Sequence, residues 1–154
     1  MEPSVTVNKI IATKKVFRLV PELYAQGNLT QKILNNIKSN PNVQKAYDRR
    51  NGRLSAVNKI LSKRLAGEGN QGKLVKRGSL SSSDTQTVSD ENSDRDIIIN
   101  AMAEEIVKIN KLDMTDENVN SVKAQAAEQF AAVRRGEVKS GTLIQSSNGQ
   151  WSAK

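Results

Sequence analysis

Six cations recur between residues 49 and 64: Arg49, Arg50, Arg53, Lys59, Lys63 and Arg64. Guanidinium and ammonium groups spaced along one helix do one kind of chemistry well. They contact phosphate or carboxylate oxygens and release bound counterions as they do so. Two readings follow. The stems cover apolar surface while the charged heads stay solvated, or the six residues form a polyanion-contacting face. The second marks them as the candidate nucleic-acid or polyanion contact. No aromatic residue is interleaved for base stacking, which disfavours a single-strand platform. No helix-turn-helix spacing supports base readout either.

Other chemistry is narrowed by what the chain lacks. It has neither cysteine nor histidine, so disulfides, thiolate nucleophiles, the usual zinc ligands and the usual neutral-pH base are all missing. Carboxylates, serine and lysine remain, and their spacing forms no recognisable catalytic, cofactor-binding or metal-binding set. The expectation is therefore a protein that is not an enzyme and needs no cofactor. The stretch Gly67-Glu68-Gly69-Asn70-Gln71-Gly72 formally matches the glycine pattern of dinucleotide loops. That motif needs a preceding strand and a following helix, whereas here a helix is expected before it and a polar stretch after it. Lys76-Arg77-Gly78-Ser79 resembles a basophilic phosphorylation sequence, a short match common by chance in polar stretches.

Charge is divided along the chain. The net charge is +8, but residues 1–78 hold 16 Lys and Arg against 4 Asp and Glu, and residues 79–154 hold 8 against 12. The first half therefore needs something acidic to meet, either a partner or the second half of a neighbouring copy. Only 3% of residues are aromatic, which argues against one large core and for thin helical layers. No apolar run approaches a membrane span. Lys14, Lys15 and Arg18 interrupt the one N-terminal stretch that could pass for a signal core. The expectation is a soluble protein, intracellular or within a viral particle, with no membrane partner.

The elements that must position these groups are mostly helical. Ile10, Phe17, Val20 and Tyr24 fit a helical stripe, although Val16–Val20 also suits a strand. Thr30 reads as the cap of a short helix carrying Ile33, Leu34 and Ile37. Pro41 suits the first position of the next helix, whose stripe is Val43, Ala46, Tyr47, Leu54, Val57, Leu61 and Leu65, closed by Gly67 and Gly69. Residues 67–92, rich in Gly, Ser, Asp and Thr, read as a flexible linker. The clearest pattern is residues 93–136. Ser93 caps one helix with Ile98, Ile99, Met102, Ile106, Ile109 and Leu112. Thr115 caps a second with Val119, Val122, Ala126, Phe130 and Val133, and Gly136 closes it with a left-handed cap.

Beyond this pair, Thr142–Gln145 and Gln150–Ser152 flank the turn residues Ser147, Asn148 and Gly149, a β-hairpin pattern. An isolated hairpin is marginal in water. The tail is thus either frayed or a docking element, and Phe130, Leu143, Ile144 and Trp151 are the candidate partner contacts.

The expected architecture is mainly α and extended rather than one large globule. It comprises a basic helical segment at 1–66, a linker at 67–92, a helical hairpin at 93–136 and a tail at 137–154. The function expected of it is structural: a non-enzymatic assembly protein docking on a larger complex near nucleic acid, such as a minor phage virion component in the capsid, neck or interior. The alternative is a free nucleic-acid-binding or transcription-regulating protein that uses its N-terminal half.

Overall fold

A computed structural model describes residues 26–154 of the chain. The helix-or-strand reading of the segment up to Tyr24 lies outside these residues. Among the described residues the chain is mainly helical, with four helices and a small four-stranded sheet. In order they are α1 (Gln26–Ile37), α2 (Pro41–Ser62), β1 (Ala66–Glu68), β2 (Leu74–Lys76), α3 (Ser82–Ile109), α4 (Asp116–Glu137), β3 (Leu143–Gln145) and β4 (Trp151–Ala153).

Helix boundaries follow local chemistry where a side chain is placed to cap. Asn40 caps α2, its Oδ1 accepting from the amides of Asn42 and Val43, with Pro41 at the first position as expected. Thr115 caps α4 by accepting from the Asn118 amide, and Asp116 and Glu117 occupy its first turn. Three expected boundaries are corrected. Thr30 lies inside α1, not at its start. Helix α2 stops at Ser62, before the glycines. Gly136 stays helical within α4, and the chain leaves through extended Val138. The carbonyls of Gly136 and Val138 accept from Lys154 Nζ at 2.9 and 2.8 Å, so a distant lysine does the work assigned to a glycine cap.

The largest correction concerns residues 67–92. In place of a flexible linker they carry a β-hairpin and the first turns of α3, whose cap is Ser81 rather than Ser93. Composition misleads here because the hydroxyls find partners inside the helix. Thr85 and Thr87 donate to the carbonyls of Ser81 and Ser83, four residues back. Asn92 then ties the helix to the hairpin. Its Oδ1 accepts from the Leu74 amide at 2.8 Å and its Nδ2 donates to the Leu74 carbonyl at 3.0 Å. The helices expected to lie on either side of a tether share one core. Ile33 of α1, Val43 and Ala46 of α2, Ile98 and Met102 of α3, and Val122 and Phe130 of α4 are buried together.

The sheet order is β2-β1-β3-β4. β1–β2 and β3–β4 are antiparallel hairpins, joined by the parallel β1–β3 pair. The C-terminal hairpin thus forms as its pattern predicts, and it adds to β1 of the same chain. Register sorts the side chains of β1. Glu68, paired with Ile144, faces the helices, while Gly67 and Gly69 lie on the outer side. Trp151 crosses that outer side. A Cβ added to Gly67 would stand 2.6 Å from the Trp151 ring and 2.8 Å from the Leu143 carbonyl oxygen. Arg77 covers the indole from above, its guanidinium carbon 4.4 Å from the ring centroid. Gly72 has φ +79°, and a Cβ there would meet Phe130 at 2.9 Å. The formal dinucleotide motif is therefore a hairpin whose glycines admit Trp151 on one side and Phe130 on the other.

A second, smaller cluster of Val57, Leu61, Leu74 and Val138, with Ile144 and Val88 against it, seals the sheet to the helices. Leu54, placed in the buried stripe by spacing, is half exposed, and Ile60 is buried in the same helix.

Gly67→Val is expected to expel the indole from its seat. Steady-state fluorescence should shift toward the emission of a solvated tryptophan, with helical circular dichroism largely retained. Phe130→Ala is expected to cost about 3–5 kcal/mol in denaturant unfolding, because its ring fills the junction of α3, α4 and the hairpin turn.

Candidate functional site

The six cations singled out by spacing divide into two groups. Arg49, Arg50 and Arg53 lie on the α2 face that meets α3. There they find Glu91 and Asp94, one helical turn apart on α3. Arg49 donates to Asp94 from Nε and Nη2 at 2.8 and 2.6 Å. Arg50 Nε and Arg53 Nη1 donate to the two Glu91 oxygens, each at 3.0 Å. A second Arg53 nitrogen donates to the remaining Asp94 oxygen. Arg50 and Arg53 are largely covered, whereas Arg49 keeps about half of its side chain in solvent. The acidic half of the same chain thus supplies the carboxylates that the charge division called for.

This lattice continues into the core. Arg95 has a fully buried side chain. Its Nε donates to Glu91 at 2.8 Å, its two terminal nitrogens donate to the two Glu68 oxygens at 2.5 and 3.1 Å, and Nη1 also donates to the Gly72 carbonyl. Arg134 from α4 donates to Glu68 as well, at 3.2 Å, and pairs with Glu137. Phe130 lies beside this network, with the guanidinium carbons of Arg50 and Arg95 at 5.5 and 5.9 Å from its ring centroid. Among the described residues, α2, α3, α4 and β1 each send at least one charged group to this centre.

The electrostatics follow from the geometry. Burial pushes the Glu91 carboxyl upward, but the Arg95 and Arg50 guanidinium groups outweigh it and hold the group below its usual range. Burial likewise opposes ionisation of Asp94, and the hydrogen bonds from Arg49 and Arg53 reverse the balance. Arg95 loses hydration, yet Glu68 and Glu91 keep it charged. Burial raises the Tyr47 phenol.

The second group points outward. Lys59 and Arg64 line a groove of about 630 Å³ between the C-terminal end of α2 and the segment from α4 into β3, and Lys63 lies between them in sequence. Lys139, Ser140 and Thr142 form the opposite wall, and Leu54, Leu61 and Val138 supply its apolar surface. Glu137 also lines the groove, held by Arg134. Arg64 sits at φ +57° and its Nε donates to the Gly141 carbonyl, which fixes its guanidinium over the groove.

Of the candidate partner contacts, Phe130 is buried in the core and Ile144 packs on the smaller cluster. Leu143 and Trp151 are half-buried on the outer sheet side. Glu68, Glu91, Asp94, Arg95 and Arg134 do not stand out as site residues by spacing. Glu91 and Asp94, three residues apart, match the spacing of Arg50 and Arg53, and that complementarity was the available clue. Among the described residues no cluster of potential ligands could hold a metal ion, and no helix is long and apolar enough to cross a membrane.

No protein-family model matches this chain, and neither a curated protein nor a solved structure is found to be similar to it.

Since Glu91 and Asp94 are depressed in the folded protein, they stabilise it fully above their unfolded values near pH 4, and that stability is lost as pH falls through and below this range. Thermal unfolding followed by circular dichroism should therefore show a steep fall in Tm below about pH 4.5. Glu91→Gln should lower Tm at pH 7 and flatten the acid limb. Glu68→Gln should destabilise by about 3–5 kcal/mol, because it removes the carboxylate that pairs with both terminal nitrogens of buried Arg95.

Proposed function

We propose that this chain is a non-enzymatic structural protein that docks onto a larger assembly through the basic groove at its sheet end. One observation carries this reading: the cations are sorted. Arg49, Arg50, Arg53, Arg95 and Arg134 are tied to Glu68, Glu91 and Asp94 inside the chain. Lys59, Arg64 and Lys139 are left around a groove with apolar walls, and Lys63 is exposed next to Arg64 in the chain. A cationic rim over exposed aliphatic surface suits an acidic protein surface carrying an apolar anchor, the usual make-up of a docking site with a polar rim.

The carboxylates support the same reading. Each of the three buried ones is engaged by guanidinium groups, which suits ion pairing rather than proton transfer. A particle that packages nucleic acid, such as a virion, is an assembly that divided charge of this kind suits. Its polyanion would lie near the basic end without being the docking partner itself. A free nucleic-acid-binding role would draw on the same outward cations, and the test separates the two.

Tagged full-length chain is expected to be retained on its native assembly after nuclease treatment, and Lys59→Glu with Lys139→Glu should reduce that retention at least tenfold. Quantitative mass spectrometry of the captured material reads the result. Complete loss of protein partners on nuclease treatment would overturn docking and favour the nucleic-acid reading.

A further inference from the structure

The two ends of the helical layer expose different side chains. Helix α2 ends and α3 begins at the sheet, where the Leu65 carbonyl accepts from the amides of Arg77 and Gly78. Helix α4 returns to the same end and passes through Val138 into β3. The α3–α4 turn, residues 110–115, therefore lies at the far end, about 33 Å away by the length of α4. That turn presents Met114, about half exposed (49%), one of the few large apolar side chains left in solvent. Asp116 and Glu117 follow it, both exposed and with no ion-pair partner among the described residues, while exposed Lys108 and Lys111 precede it on the α3 side. The amides of Asp116 and Glu117 belong to the capped first turn of α4, so a formed helix fixes the backbone that carries them. Leu112 before the turn packs on the main core, which fixes its base.

The sheet end is the complement of this knob. Its groove exposes Leu54, also half exposed (50%), beside buried Leu61 and Val138, and Lys59, Arg64 and Lys139 surround that apolar surface. An apolar side chain followed by two carboxylates faces an apolar groove rimmed by three cations.

The geometry points to self-association of this chain head to tail, with the Met114–Glu117 knob of one copy seated in the α2–β3 groove of the next. This inference rests on the docking reading above and names the first partner of the groove as a second copy. Met114 covers Leu54 and removes both from water. Asp116 and Glu117 meet Lys59 and Lys139, close to Arg64 and Lys63. The two surfaces are different and lie at opposite ends, so the contact is heterologous. It leaves one knob and one groove open on every dimer and propagates into a ring or a filament. A contact this small and this charged is salt-sensitive.

Sedimentation velocity of the purified, nuclease-treated full-length chain tests it. The wild type should show concentration-dependent oligomers at about 0.05 M salt that dissociate at about 0.5 M. A groove-reversed chain, Lys59→Glu with Lys139→Glu, and a knob-reversed chain, Asp116→Lys with Glu117→Lys, should each sediment as monomers, because like charges then meet. Mixed in equal amounts, the two should regain the wild-type distribution, since every contact in an alternating chain pairs opposite charges. Met114→Ser, in a turn outside the helices, should weaken association at least tenfold and serves if the knob reversal unfolds α4. A wild type that stays monomeric at all concentrations, or reversed chains that still associate alone, or a mixture that fails to recover would each overturn the inference. Retention of a monomeric wild type on its native assembly would overturn self-association and leave the docking reading standing.

Discussion

The buried pair between Arg95 and Glu68 is the constraint from which the rest of this structure follows. A guanidinium with no solvent contact must have its donors satisfied, and the chain supplies them from three directions: Glu91 on the same helix, Glu68 on β1 and the Gly72 carbonyl of the hairpin turn. Those demands fix where the sheet lies against α3. Glu68 can point inward only if Gly67 and Gly69 face outward, and the bare outer side this creates is where the indole of Trp151 rests. One buried cation thus sets the strand register, the position of the C-terminal hairpin and the burial of the single tryptophan.

The same network explains why two kinds of cation coexist on α2. Its middle turns lie over Glu91 and Asp94, so arginine suits them, since a planar fork satisfies two carboxylate oxygens at once. Its last turn passes the sheet and meets solvent, and there lysine takes over at Lys59 and Lys63. Buried ion pairs of this sort are not strong stabilisers relative to a well-packed apolar core. With five aromatic residues in the whole chain, their contribution here is orientation, through a set of partners that accepts one arrangement of α2, α3, α4 and β1.

Much of this was legible in the sequence, and the parts that were not have physical reasons. Pro41 and Thr115 mark helix starts because their chemistry is local, whereas the Asn40 cap was not read. Ile98, Met102, Ile106, Val122 and Phe130 are buried as their three-and-four spacing requires. The closing hairpin at Leu143–Gln145 and Trp151–Ala153 could be read from alternation and a Ser-Asn-Gly turn. Residues 67–92 could not, because their order comes from long-range contacts. Asn92 holds Leu74, Arg95 holds Glu68, and Gly72 sits on Phe130, none of which leaves a periodic trace. The groove was half legible: Lys59, Lys63 and Arg64 stood out by charge, whereas Lys139 and Val138 join them only because α4 returns to the sheet end.

The parallel pairing of β1 with β3 has a bearing on the order of folding. Its partners, Glu68 and Ile144, come from points roughly half the chain apart, whereas α3 and α4 adjoin through a short turn. Closing the longer loop carries the larger entropic penalty and yields only three-residue strands. The helical hairpin is therefore expected to assemble early from local contacts, and the sheet to close late. The indole resting on Gly67 becomes a clock for that last step. Its emission is expected to change when the sheet closes, after the helical signal.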